Sequence, residues 1–254
     1  MRTAMTSTIV SLHAHPDDEA LLVGGWLAQR AARGDRVILV FATDGDAGLA
    51  DPSYTGQSLG AVRRAEAAAS ARALGCCRVV WLGYADSGMA NAPTARPARL
   101  VEAPVDDVAK IVAAILDEED ADIITGYDAN GGYGHPDHIR VHAIARRAQQ
   151  LAARRPQLLE ATLDRTWLVR LFKLSRPVAK FLTGITIPGD EIFTSRAALS
   201  AMVDVSQQAD AKLEALAAHK SQTTGGVRTI RLLLALPRPL ARRLLRHEWF
   251  LAVA

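Results

Sequence analysis

Two polar clusters lie far apart in this chain, yet each is delivered by an apolar run and followed by residues with helical spacing. Ile9-Val10-Ser11-Leu12 leads into His15-Pro16-Asp17-Asp18-Glu19, after which Ala20 to Leu27 continue with helical periodicity. Asp122-Ile123-Ile124-Thr125-Gly126 and the glycine-rich Asn130-Gly131-Gly132-Tyr133-Gly134 lead into His135-Pro136-Asp137-His138. Strand, turn and helix start in that order is the building unit of an open α/β sheet. Such sheets gather their chemistry at the carboxyl ends of the strands, where side chains from neighbouring loops converge on one crevice.

The rest of the chain follows the same rhythm. A helix to about Arg33 stops at Gly34-Asp35, and Val37 to Thr43 reads as a strand. A helix near Leu59 to Leu74, a strand at Val79 to Leu82 and a helix near Val105 to Glu119 come next. Continuous apolar strands separated by helices are the pattern of a parallel sheet covered on both faces. At 254 residues the chain suits one α/β domain. We therefore expect an α/β fold: a Rossmann-like, doubly wound, mainly parallel sheet over residues 1–155, with a smaller C-terminal α+β extension over 156–254. Within the extension Thr166 to Leu174 and Ala197 to Val205 read as strands, and Ser206 as the cap of a helix from Gln207 to His219.

Charge and cysteine usage exclude several classes. A net charge of +3, spread in both signs, does not fit a nucleic-acid binder. The exception is a C-terminal stretch in which Arg228, Arg231, Arg238, Arg242, Arg243 and Arg246 face a single acid, Glu248. A core helix with a solvated face is the simpler reading of it, ahead of contact with a membrane surface. Adjacent Cys76 and Cys77 have the spacing of neither a zinc ribbon nor a redox dithiol. Without a secretory signal pattern or an apolar run long enough to span a membrane, a cytoplasmic protein is expected. Oligomeric state leaves no mark in the sequence.

The two clusters have the chemistry of a metal site. His15 and Asp18, three positions apart, can point at one ion, and His138 can complete the set from the other turn. Two imidazoles and a carboxylate leave an open position, the catalytic arrangement for Zn2+, with Fe2+ as the other candidate. An ion so held lowers the pKa of coordinated water from about 15.7 to about 7. Asp17, beside a ligand without being one, is the candidate general base. Protonated His135 is the candidate donor to a tetrahedral oxyanion, with Tyr133 assisting from the glycine-rich loop. His142 is expected to pack rather than ligate, and Asp137 either caps its helix or orients a histidine.

Ala14 to Glu19 together with Gly134 to His138 resembles the PIG-L/LmbE-like family of metal-dependent N-deacetylases. Similar segments extend the resemblance: Arg63 with Glu66 before Ala73-Leu74-Gly75, Asp86-Ser87-Gly88-Met89, Tyr127 to Tyr133, and Ala215 to Gln222. Within the family the likeness is to mycothiol-biosynthesis deacetylases and mycothiol conjugate amidases. The resemblance implies zinc on His15, Asp18 and His138, Asp17 as base and acid, and His135 with Tyr133 at the oxyanion. It further implies Arg63 and Asp86 on polar groups of a small acetylated amino-sugar substrate, and the removal of its acetyl group by hydrolysis of the amide. Two other readings share the ligand set: a non-haem iron oxygenase, which has no use for Asp17 and His135, and a non-catalytic sugar-binding protein, which needs no base. The loops at Asp46 to Gln57 and Gly83 to Ala95 and the segment after Arg165 are the expected specificity elements.

Overall fold

The structure is a computed structural model that describes residues 6–48, 59–88, 98–166, 169, 192–223 and 229–253. Seven strands form one sheet: β1 (Thr8–His13), β2 (Arg36–Thr43), β3 (Arg78–Tyr84), β4 (Ile123–Tyr127), β5 (Gln157–Thr162), β6 (Ala201–Asp204) and β7 (His247–Val253). Their order is β3-β2-β1-β4-β5-β7-β6. The first five pair in parallel, while β7 runs antiparallel to both β5 and β6. Among the described residues the longer helices are α1 (Gly24–Ala32), α2 (Leu59–Leu74), α3 (Val105–Glu118), α4 (Pro136–Leu151), α5 (Ala209–Ala218), α6 (Thr229–Ala235) and α7 (Arg238–Leu244).

Burial explains why the parallel strands read as unbroken apolar runs. Val37 to Ala42 of β2 and Ile9 and Val10 of β1 are wholly buried, because helices cover both faces of the sheet. Chain order reverses at the border between β1 and β4, so the loops after these two strands open a crevice between them. Both polar clusters sit there. The parallel part of the sheet continues past residue 155, since β5 pairs in parallel with β4.

The C-terminal region departs from expectation. Its arginine-rich stretch is no single core helix: Pro237 and Pro239 break it into α6 and α7, and His247 to Val253 then enters the sheet as β7. Glu248, the lone acid of that stretch, does not face the arginines. Its buried carboxylate takes Lys212 Nζ at 2.5 Å and the backbone N–H groups of Gly25 and Trp26 at 2.8 and 2.7 Å, closing the first turn of α1. Gly25 must be glycine for this contact, because a Cβ would stand 2.6 Å from Val205 Cγ2. The arginines instead meet other acids, Arg246 on Asp204 and Arg242 on Asp210.

Ser206 does not cap α5. It lies in a 3-10 turn, and its backbone N–H is itself capped by Asp204 Oδ1 at 2.9 Å. The expected strand from Ala197 shortens to β6 after a 3-10 turn at Arg196–Ala198. Thr166 and Val169 are helical, and the remainder of the strand expected at 166–174 lies outside the described residues. Cys76 and Cys77 are both free thiols. Among the described residues no helix is long and apolar enough to cross a membrane.

Candidate metal centre and active site

The turn after β1 carries His15, Asp17 and Asp18 into the crevice. It opens a π-helical turn, Glu19–Val23, that joins α1, a local form that apolar spacing does not distinguish from α-helix. Across the crevice the loop after β4 turns sharply at Gly131, Gly132 and Gly134, with φ of 59°, 65° and 87°, values that side chains rarely tolerate. His135 then caps α4, its Nδ1 accepting from the Asp137 N–H at 3.1 Å, and Pro136 occupies the first helical turn. One turn on, His138 points back to His15.

Three donor atoms form a nearly equilateral triangle. His15 Nδ1 lies 3.2 Å from His138 Nε2 and 3.5 Å from Asp18 Oδ2, and His138 Nε2 lies 3.3 Å from the same oxygen. Tetrahedral ligands at roughly 2.0–2.2 Å from zinc stand roughly 3.3–3.6 Å apart. The donor set therefore fits a divalent cation in number, chemistry and spacing. The two imidazole nitrogens are presented with their lone pairs free, because the opposite nitrogen of each ring is tied. His15 Nε2 donates to Asp137 Oδ2 at 3.2 Å, and His138 Nδ1 donates to the Gly131 carbonyl at 3.2 Å. Asp18 Oδ2 accepts from Tyr127 Oη at 2.6 Å and from the His15 N–H at 3.1 Å. Such outer contacts fix tautomer and orientation at metal sites.

Two further donor groups overlap on His15, one with His135 and His138, the other with Asp86 and Asp137. Both lack features of the triangle with Asp18. His135 Nδ1 is committed to the helix cap, and Asp86 and Asp137 grip the far nitrogen of the His15 ring.

Electrostatics agree with a pocket built for positive charge. Against the burial that opposes it, Asp137, Asp18 and Asp86 raise His15 well above the ordinary histidine range. Burial would raise Asp18, but His138 and His15 hold it well below the usual carboxylate range. Burial pushes Asp17 up to about 6, with the Arg63 charge opposing, which suits a base working near neutrality. His135 is lowered to about 4 by burial and by the neighbouring His15 and His138. With Nδ1 accepting from the Asp137 N–H, the proton of a neutral His135 ring sits on Nε2, where it can donate.

Of the remaining expected residues, Tyr133 is 49 % exposed and stands edge-on over His138 with ring centroids 5.1 Å apart. Arg63 and Asp86 turn inward. Arg63 donates to the Gly45 and Pro16 carbonyls at 2.9 and 2.5 Å, and Asp86 accepts from the Gly88 N–H at 2.8 Å beside His15. His142 stays out of the site, bound to Glu160 and the Tyr127 carbonyl. The expected specificity loops fall largely outside the described residues. Sequence reasoning missed Tyr127, which tethers Asp18, accepts the Ala14 N–H at 2.8 Å and stacks on His138 at 4.2 Å. Its place as the last residue of β4 was the available signal.

Known proteins resemble this chain in sequence and fold. Residues 10–149 match the PIG-L family, described as GlcNAc-PI de-N-acetylase. A 1D-myo-inositol 2-acetamido-2-deoxy-alpha-D-glucopyranoside deacetylase of Mycobacterium sp. (strain KMS) is 32 % identical over 87 % of this chain and 76 % of its own. Among solved structures, the N,N'-diacetylchitobiose deacetylase of Pyrococcus horikoshii superposes with a TM-score of 0.62 at 23 % identity, covering 97 % of this chain and 84 % of the other. GalB, the 4-carboxy-2-hydroxymuconate hydratase of Pseudomonas putida KT2440, reaches 0.63 at 15 % identity, covering 98 % and 97 %. Likeness at that level is one of fold, and the fold serves more than one reaction.

Proposed function

This chain belongs to the PIG-L family of GlcNAc-PI de-N-acetylases, and from that premise we propose that it is a metal-dependent hydrolase removing the acetyl group from the N-acetyl amide of an amino-sugar glycoside. The observation that carries this reading is the triangle of His15 Nδ1, Asp18 Oδ2 and His138 Nε2, with Asp17 next to Asp18 in the chain and its Oδ2 3.5 Å from Arg63 Nη2. These three residues would hold the ion, zinc or ferrous iron. When bound, the ion supplies Lewis acidity toward water and the amide carbonyl.

The protein side chains do the rest. Asp17 is 17 % exposed at its side chain, open to the crevice, and takes the proton of the attacking water. The same carboxyl then returns that proton to the departing amine, so water and amide become acetate and free amine. His135 Nε2–H donates to the oxyanion as the carbonyl becomes tetrahedral, a preorganised contact of the kind that dominates acyl transfer. Tyr133 covers the entrance beside both histidine rings.

The test is a panel of N-acetylglucosaminyl compounds, inositol glycosides included, assayed without oxygen for acetate and free amine after loading with zinc or ferrous iron. Turnover in anaerobic buffer is expected from at least one substrate, and Asp17→Asn should keep its metal while losing turnover by on the order of a hundredfold or more. A chain that binds no divalent cation, or an Asp17→Asn variant as active as the parent, refutes the reading.

A further inference from the structure

One peptide unit in the site is held at both ends by buried charged side chains. Arg63 Nη2 donates to the Pro16 carbonyl at 2.5 Å, and the Asp17 N–H of the same peptide donates to Glu19 Oε2 at 2.9 Å. The other Glu19 oxygen, Oε1, accepts from Ser70 Oγ at 2.5 Å and from His219 Nε2 at 2.6 Å. Asp17 lies at φ 109°, a region that a residue with a side chain keeps only when its surroundings over-determine it.

We propose that Arg63, Glu19 and His219 clamp the Pro16–Asp17 peptide and thereby hold the Asp17 carboxyl where it works, with Arg63 and His219 as positioning residues. The proposal rests on the reading of Asp17 as the base. His219 is wholly buried and meets the clamp by its hydrogen bond to Glu19, from a turn some two hundred residues away in the chain. That turn is tied down a second time, since the N–H and Oγ of Ser221 donate to Glu66 at 2.7 and 2.6 Å. Arg63, Glu66 and Ser70 fall at i, i+3 and i+7 on the buried face of α2. One helix face thus carries a contact to the Pro16 carbonyl, a contact to Glu19 and the anchor of the His219 turn. A guanidinium so engaged braces the turn instead of reaching for sugar hydroxyls.

His219→Ala and His219→Gln separate positioning from plain structural support, because glutamine restores an N–H donor toward Glu19. In full-length, metal-loaded protein, His219→Ala should lower kcat on the order of a hundredfold with KM and metal content unchanged. His219→Gln should recover most of it. Crystal structures should show Asp17 leaving the positive-φ region in His219→Ala and keeping it in His219→Gln. Arg63→Lys should lower kcat with KM unchanged.

A loss of kcat only in step with folded fraction or metal content overturns the clamp, as does an unmoved Asp17 in His219→Ala. A rise in KM alone for Arg63→Lys returns that residue to the substrate. Should His219→Ala fail to fold, Ser70→Ala removes a donor from the same Glu19 oxygen and should lower kcat about tenfold. Unchanged kcat and an unmoved Asp17 there overturn the clamp equally. If the parent protein deacetylates nothing in the panel, the proposed function fails, and the crystallographic position of Asp17 still decides the clamp.

Discussion

Replacing Tyr127 by phenylalanine isolates one hydroxyl on which the metal centre hangs. That hydroxyl donates to Asp18 Oδ2 at 2.6 Å and accepts the Ala14 N–H at 2.8 Å, both fully enclosed. The ring that stacks on His138 at 4.2 Å is retained. Removing a hydrogen bond to a carboxylate costs about 1.5–3 kcal/mol, and leaving the Ala14 N–H unpaired in the interior costs about 1–3 kcal/mol. A loss of roughly 2.5–6 kcal/mol follows, which in a domain of this size lowers Tm by roughly 5–24 °C. Thermal unfolding in the presence of chelator reads this term without any contribution from metal. The second consequence is on affinity. Asp18 is free to rotate once untethered, so chelator competition should show metal binding weakened by about 10–100-fold. A variant that melts within about 2 °C of the parent and competes equally with chelator would refute the role given to Tyr127, and with it the account of how Asp18 is aimed.

Other parts of the structure yield equally direct expectations. His138→Ala should lose its metal on dialysis whereas Asp17→Asn keeps it, a difference read by elemental analysis; equal loss would mean that Asp17 is a ligand. Lys212→Met leaves the Glu248 carboxylate buried without its cation and should cost about 3–5 kcal/mol in urea unfolding. Adding Glu248→Leu to it should cost less than the sum of the single changes. The Glu160–His142 pair, 3.2 Å apart, makes stability depend on pH. Burial lowers His142, but Glu160 and the Tyr127 carbonyl raise it overall, so its contribution is complete below the ordinary histidine pKa and fades as pH rises through the raised one. Burial raises Glu160, but His142 and Arg146 lower it overall, so its contribution is complete above the ordinary glutamate pKa and fades as pH falls through the lowered one. The Tm gap between parent and His142→Gln should therefore be widest between about pH 4.5 and 6.5, and a gap that widens toward pH 8 would contradict this.

The amino-acid sequence by itself determined the layered α/β plan and the two turns that meet in the crevice, because both follow from local periodicity. Val37 to Ala42 can only be a strand buried on both faces, and glycine and proline at 131–136 can only be a turn delivering a helix start. His15, Asp17 and Asp18 stood out as candidates because they follow the end of β1 within a few residues, and His135 and His138 because the glycine-rich loop after β4 delivers them to a helix start. Long-range pairing was not legible. Glu248 capping α1, the strand β7 slipping between β5 and β6, and Tyr127 reaching Asp18 join positions from about forty to more than two hundred residues apart, and no spacing rule links them. The hydrogen-bond partners that His15 and His135 take, and the depth to which each is buried, are set by every surrounding element at once. Only the tertiary structure decides these, because a side chain's neighbours across space, unlike its neighbours along the chain, exist only once the sheet has assembled.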